Sequence, residues 1–266
     1  MSIKTILVHA DDGRACDRRV RLAAQVADMF GAALTGLAAE NFDEALATAY
    51  ATDGMIVEAL QRRTTDDLRA AEAHFRALVG ERPCTAWVSV QDFPDKALSL
   101  RARGADLIVA SRFSRGDRPA FAARAADLVL EAGVPVLLTA DGEETFNGEH
   151  VVIAWKDTRE ARRAVSDALP FLKRARHVTI VAAEAGEASF FELVRRLERH
   201  GVGAQVETIK PSHGHVAAAL EDTAAKLGAD LIVAGAYGHT RLGEWMLGGV
   251  TQDFLTGCSK FLLLSH

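Results

Sequence analysis

Apolar residues in this chain fall into short unbroken runs, separated by longer segments in which they recur every three or four positions. Runs of the first kind, bounded by turn residues, predict strands buried on both faces, and segments of the second kind predict amphipathic helices. In chain order the pattern predicts strand Ile3–His9, helix Cys16–Phe30, strand Ala33–Ala38, helix Met55–Val79 and strand Thr85–Val90. It continues with helix Asp95–Arg103, strand Asp106–Ala110, helix Ala120–Glu131 and strand Val134–Thr139. In the longest helix Leu60, Leu68, Ala71, Phe75 and Leu78 form one stripe, with Arg62, Arg63, Asp66 and Asp67 off it. The segment Asp141–Gly148 is polar and turn-rich with little to bury, so it predicts a linker. The alternation then restarts: strand Val151–Trp155, helix Arg159–Leu172, strand Val178–Ala183, helix Phe190–His200 and strand Ala204–Lys210. Helix Val216–Leu227, strand Asp230–Ala234, helix Glu244–Leu255 and strand Phe261–Ser265 close the chain.

Strands alternating with helices imply parallel sheets with right-handed crossovers and helices on both faces. The expected architecture is therefore α/β, two tandem five-stranded parallel-sheet domains of Rossmann-like type, residues 1–142 and 149–266. An internal repeat supports the duplication. Gly104-Ala-Asp-Leu-Ile-Val-Ala110 recurs unchanged as Gly228-Ala-Asp-Leu-Ile-Val-Ala234. The second copy runs into Gly235-Ala-Tyr-Gly238-His239-Thr-Arg241 and on to Gly248-Gly249-Val250-Thr251, whereas the first runs into Ser111-Arg-Phe-Ser114. One half has kept a glycine-rich loop of the kind that cradles phosphate; the other has serines in place of its first two glycines.

Composition narrows the class without naming a function. The chain has 266 residues, 49% hydrophobic and 25% charged, which suits a water-soluble protein with a core large enough to need no metal or disulfide. A net charge of −5 provides no diffuse basic surface, so non-specific nucleic-acid binding is disfavoured. No apolar run has the length of a membrane span, and the N-terminus enters a strand directly without a signal-peptide design. The three cysteines, Cys16, Cys84 and Cys258, are odd in number and scattered, which fits a reducing cytoplasm.

The candidate chemistry sits at the glycine loop. In open parallel sheets, ligands bind beyond the carboxyl ends of the strands, where strand order reverses. Gly235 ends the predicted fourth strand of the second half, so the loop begins there. Gly235 and Gly238 leave no Cβ between backbone and ligand, and a helix beginning at Gly249 would turn free N–H groups toward an anion. Lys156, His239 and Arg241 are candidate cations beside it. The loop is not the dinucleotide fingerprint, which follows the first strand, nor does it carry a Walker lysine. A purely structural turn is the competing reading.

The spacing Gly235-x2-Gly238-x9-Gly248, followed by Val250 and Thr251, resembles the ATP-binding signature of the universal stress protein family. The preceding Gly-Ala-Asp-Leu-Ile-Val-Ala resembles that family's fourth strand, and the doubled five-strand order covers essentially the whole chain. The resemblance implies a tandem universal stress protein that binds ATP or another adenine nucleotide, with or without magnesium. It implies ribose and phosphate held by Gly235, Gly238, Gly248, Gly249 and Val250, with His239 and Arg241 in the same loop. The nucleoside would be held by Lys156 or Asp157 after the first strand and by backbone at Ala183 after the second. The chain departs from the family at Gly249, where a hydroxyl residue is usual, and at Lys156, where an acid is usual. Lys156 cannot accept a ribose hydrogen bond, so it would meet phosphate, or Asp157 would replace it. In the first half Asp11 matches the acidic position, but Ser111, Ser114 and the Ala122-Ala123 pair break the loop signature, and no ATP is expected there.

Other features carry less. Arg112, Arg115, Arg118 and Arg124 cluster after the first half's fourth strand, with Asp117 and Asp127 available to neutralise them. His213 and His215 lack a third metal ligand in sequence, Cys258 reads as structural, and no residue is marked as catalytic or as a metal ligand. The apolar last strand, Phe261–Ser265, is expected at a sheet edge, with Val134–Thr139 as its intramolecular partner or a second chain as a homodimer partner. The leading expectation is a cytoplasmic regulatory protein of the stress response that senses an adenine nucleotide in its second domain. A nucleotide-free scaffold for an unidentified protein partner, or a slow ATP hydrolase using Asp157 or Glu244, are the alternatives.

Overall fold

A computed structural model describes residues 2–11, 13, 15–41, 54–112, 123–140, 145–183, 187–211, 215–238 and 249–266, the side chains of 187–189 excepted. The chain divides into an N-terminal unit, Lys4–Leu128, and a C-terminal unit, Val129–His266 together with Met1–Ile3.

The N-terminal unit contains β1 (Thr5–His9), α1 (Cys16–Phe30), β2 (Ala33–Ala39), α2 (Gly54–Val79), β3 (Thr85–Val90), α3 (Pro94–Arg101) and β4 (Leu107–Ala110). A single 3-10 turn, Ala102–Gly104, separates α3 from β4. Its strands lie in the order β3-β2-β1-β4, with each pair parallel, so the chain reverses its direction of travel between β1 and β4. α1 presents Val20, Ala23 and Ala27 to the sheet, where they bury against the fully covered Ile6, Val8 and Leu107–Val109. It ends at Gly31, whose left-handed backbone returns its N–H to the last carbonyls of the helix.

A short helix, α4 (Ala125–Glu131), leads to the C-terminal unit: β5 (Val136–Leu138), β6 (His150–Ala154), α5 (Arg159–Leu172), β7 (His177–Ala182), α6 (Glu187–Arg199) and β8 (Gln205–Thr208). α7 (Val216–Lys226), β9 (Leu231–Gly235), α8 (Gly249–Gly257) and β10 (Phe261–Ser265) complete it. The order within this unit is β5-β10-β9-β6-β7-β8. All pairs are parallel except β5 with β10, which run antiparallel with Leu137 opposite Leu263. The last strand is therefore not an edge: β5 covers it, as expected for Val134–Thr139, and both strands are wholly buried. Contact density accordingly places β5 with the strands that follow the linker rather than with those that precede it.

The repeated heptapeptide explains itself. Asp106 Oδ2 accepts the backbone N–H groups of Lys4 and Thr5 at 2.8 and 2.9 Å, fixing the chain as it enters β1. Asp230 Oδ2 does the same for Asn147 and Gly148, at 2.9 and 2.7 Å, just before β6. The aspartate is a brace at the start of each sheet, and the Leu-Ile-Val-Ala that follows is fully buried strand in both copies. The glycine in front differs: Gly228 closes α7 at φ +67°, whereas Gly104 belongs to the 3-10 turn.

The linker is less idle than its polarity predicts. Within it Phe146 is only 3% exposed, packed edge-on against Phe171 of α5 and Phe261 of β10, with ring centroids 6.0 and 5.1 Å away. One aromatic in a polar setting is enough to pin the segment, because it closes the base of a core. Other differences from the pattern are of one to a few residues. The strand expected over Ala204–Lys210 shortens to Gln205–Thr208, and the helix expected over Asp95–Arg103 begins at Pro94, a residue suited to a first helical turn.

Candidate functional site

The loop after β9 is held against the start of α5 by steric fit. A Cβ on Gly235 would lie 2.4 Å from the backbone nitrogen of Ala161 and 2.5 Å from the carbonyl carbon of Glu160. No side chain can be accommodated there without moving the helix, so Gly235 serves the packing of α5 on β9. Gly238 is exposed, and a Cβ there would stand 3.0 Å from Glu160 Oε2 and 3.2 Å from Thr158 Oγ1. Between the two, Tyr237 adopts φ +62°, a conformation that side chains rarely take, and its N–H donates to Thr251 Oγ1 at 3.3 Å. That bond ties the loop to the first turn of α8.

α5 begins where the loop meets it. After β6 the chain makes a tight turn, with the Thr158 N–H donating to the Lys156 carbonyl at 2.6 Å. Thr158 then caps the helix, its hydroxyl accepting the Ala161 N–H. Glu160, in the first turn, is 7% exposed, and its Oε1 accepts from Arg159 Nε at 3.0 Å. Burial opposes its ionisation, but its own backbone N–H, Arg159 and the Thr158 hydroxyl outweigh that, holding the carboxyl below the usual glutamate range.

Of the residues expected from the sequence, Gly235 and Gly238 are brought to one place, on the first turn of α5. Lys156 and Asp157 are exposed just before that turn, and Asp157 is engaged by Arg162, whose Nε and a terminal nitrogen lie 2.9 and 2.7 Å from Oδ1. Ala183 follows β7 directly and is half-buried. Gly249 and Val250 open the described part of α8, the glycine exposed and the valine half-buried. His239, Arg241, Gly248 and Glu244 lie outside the described residues. Trp155 is buried, and its N–H donates to the Val181 carbonyl, so it belongs to the core. Thr158 and Glu160 are what the sequence reading missed. The signal was available in the Thr-x-x spacing before an apolar helix, but nothing in one dimension places Glu160 over Gly238.

The corresponding place in the N-terminal unit is filled from within. Arg19, 3% exposed on α1, donates from Nε to the His9 carbonyl at 2.5 Å. Its terminal nitrogens reach Ser111 Oγ at 3.0 Å and Asp11 Oδ1 at 2.7 Å. Asp11 also accepts the Gly13 N–H at 2.9 Å, and its second oxygen lies 3.4 Å from His9 Nδ1. Burial opposes ionisation of Asp11, yet Arg19, His9 and the Gly13 N–H together lower its pKa. Burial dominates at His9 and lowers it to about 4, so the imidazole is neutral near neutrality. Of the arginine cluster, Arg112 is buried and Arg124 bridges Asp95 and Asp127, while Arg115 and Arg118 lie outside the described residues.

Both units thus place the carboxyl ends of parallel strands at a reversal of strand order, and one of them carries a glycine loop there. Residues 152–265 match the sequence model of the Universal stress protein family. The fold of the whole chain resembles a universal stress protein from Archaeoglobus fulgidus DSM 4304, with a TM-score of 0.69, 12% identity and coverage of 98% of this chain and 97% of that one. It also resembles a functionally unknown protein from Pseudomonas aeruginosa PAO1, with a TM-score of 0.61, 18% identity and coverage of 99% and 92%. Among curated proteins none matches the chain by sequence. The full length of the chain has the fold seen in these structures, and the family match lies in its C-terminal part, residues 152–265. Among the described residues no helix is long and apolar enough to cross a membrane, and no group of three or more potential ligands is placed to hold a metal ion.

Proposed function

We propose that this chain is a universal stress protein, a regulatory binding protein that takes up an adenine nucleotide at the glycine loop of its C-terminal unit. The observation that carries the reading is the pairing of an exposed, side-chain-free Gly238 with the capped first turn of α5, beyond the carboxyl ends of β6 and β9. That position, at a strand-order reversal, is where open α/β sheets take ligands. Gly249, at the start of the described part of α8, adds backbone N–H donors without a side chain in the way. Phosphate would meet those donors and Lys156, and the nucleoside would lie toward Ala183 after β7. The N-terminal unit, with Arg19 on its acidic residue, would bind none.

Thermal unfolding with and without a millimolar adenine nucleotide tests this, repeated on Gly238→Val. Ligand at a hundred times its dissociation constant raises the midpoint by about 5–10 °C for a protein of this size. A shift in the wild type that disappears in the folded variant supports the site. No shift with any adenine nucleotide removes the reading.

The last strand, expected at a sheet edge with Val134–Thr139 or a second chain as its partner, is covered by β5. A homodimer through edge strands would therefore use another strand, such as β8 at one edge of the C-terminal unit or β3 at one edge of the N-terminal unit.

A further inference from the structure

An exposed glutamate in the first turn of a helix needs no special account, because a carboxylate suits the positive end of the helix dipole. Glu160 is different in two respects: it is buried, and its Oε2 lies 3.0 Å from the point that a Cβ on Gly238 would occupy. The place at which the start of α5 would draw an anion is already held by the chain's own carboxylate. The arginines beside it are engaged, Arg159 with Glu160 at 3.0 Å and Arg162 with Asp157 at 2.7 Å. A polyphosphate laid along Gly238 would bring several negative charges against Glu160 in a partly desolvated corner, where like charges are costly. A nucleoside or its monophosphate would not extend that charge over the carboxylate.

We propose that Glu160 sets the charge selectivity of the glycine-loop site, admitting an adenine nucleoside or its monophosphate and disfavouring the triphosphate. The inference rests on the nucleotide reading above and names the ligand class of that same site. Glu160 acts by facing the ligand's phosphates, and Arg159, on the far oxygen, is a positioning residue that moderates its charge.

Calorimetric titration of the full chain with AMP and with ATP, in EDTA so that no divalent cation screens the phosphates, provides the test. The wild type is expected to bind AMP at least about tenfold more tightly than ATP. Glu160→Gln, neutral and of the same shape, is expected to reduce that ratio about tenfold or more, and Arg159→Ala to widen it. A purely structural role would weaken both ligands together and would not move the ratio in opposite directions in the two variants. A wild type that prefers ATP, or a ratio unchanged in both variants, overturns the selectivity while the site itself stands. Failure of either nucleotide to bind the wild type or the folded variants overturns the nucleotide reading and this inference with it.

Discussion

Counted from strand registers that pair Ile6 with Leu107 and Val151 with Leu231, Asp11 and Lys156 hold the same place in the two halves, as do Arg19 and Ala164, and Ser111 and Gly235. In the N-terminal half these positions make a buried ion pair that draws in a hydroxyl and a backbone carbonyl. In the C-terminal half the same positions are small or exposed, and the start of α5 settles directly on the loop. The two halves share the aspartate brace and the buried strand, and they differ at the carboxyl ends of their strands. The difference teaches that an internal salt bridge and the close packing of a helix start on a glycine loop are alternative fillings for equivalent strand ends.

The comparison breaks most sharply at Arg19. Arg19→Ala leaves the Asp11 carboxylate buried without its cation, and removing one partner of a buried pair costs about 3–5 kcal/mol. Urea unfolding followed through Trp87, the sole tryptophan of the N-terminal half, measures it. Arg19→Met combined with Asp11→Asn should cost much less than the single change, because no charge is then stranded. An equal loss in the two would mean that packing rather than charge is what Arg19 provides.

A smaller effect appears on acidification. Folded His9 stays neutral down to about 4, whereas in the unfolded chain it takes its proton near its ordinary value of 6.5. Unfolding therefore takes up a proton across that window, and stability falls as pH drops from about 6.5 to about 4, by up to about 3 kcal/mol from this group. Below the folded value the contribution from His9 levels off. Asp11, whose folded pKa is lowered, contributes above its unfolded value and loses that contribution only as pH falls through the folded one. In His9→Gln the slope between 6.5 and 4 should flatten while the steeper loss at lower pH remains. An unchanged slope would assign it to other groups.

The gentlest test exchanges the residues at the strand ends. Gly235→Ala drives a methyl into the backbone of α5 and should destabilise the C-terminal unit by about 1–3 kcal/mol. Ser111→Gly, the reciprocal change, removes one hydrogen bond to Arg19 and the hydroxyl's packing, and should cost about 1 kcal/mol. Thermal midpoints of the two variants compare them directly. A harmless Gly235→Ala would show that α5 has room to withdraw and that the glycine is there for a ligand alone.

Much of this was legible in one dimension. Apolar periodicity located the strands and helices because burial on one or two faces leaves a repeat of two, or of three to four, whatever the tertiary partners. The heptapeptide repeat marked two equivalent strands, and the glycine spacing marked the loop, because both depend on local backbone and on residues close in sequence. What tertiary structure alone decided is what depends on residues far apart in the chain. Phe146 became a core residue because Phe171 and Phe261 converge on it. The last strand became interior because β5 runs antiparallel beside it. Arg19 met Ser111 across 92 positions, and Glu160 came to face Gly238, only when the sheets had assembled. Charge and shape at the strand ends are set by such meetings, since a side chain's energy depends on which neighbours exclude water from it, and no local pattern records who they will be.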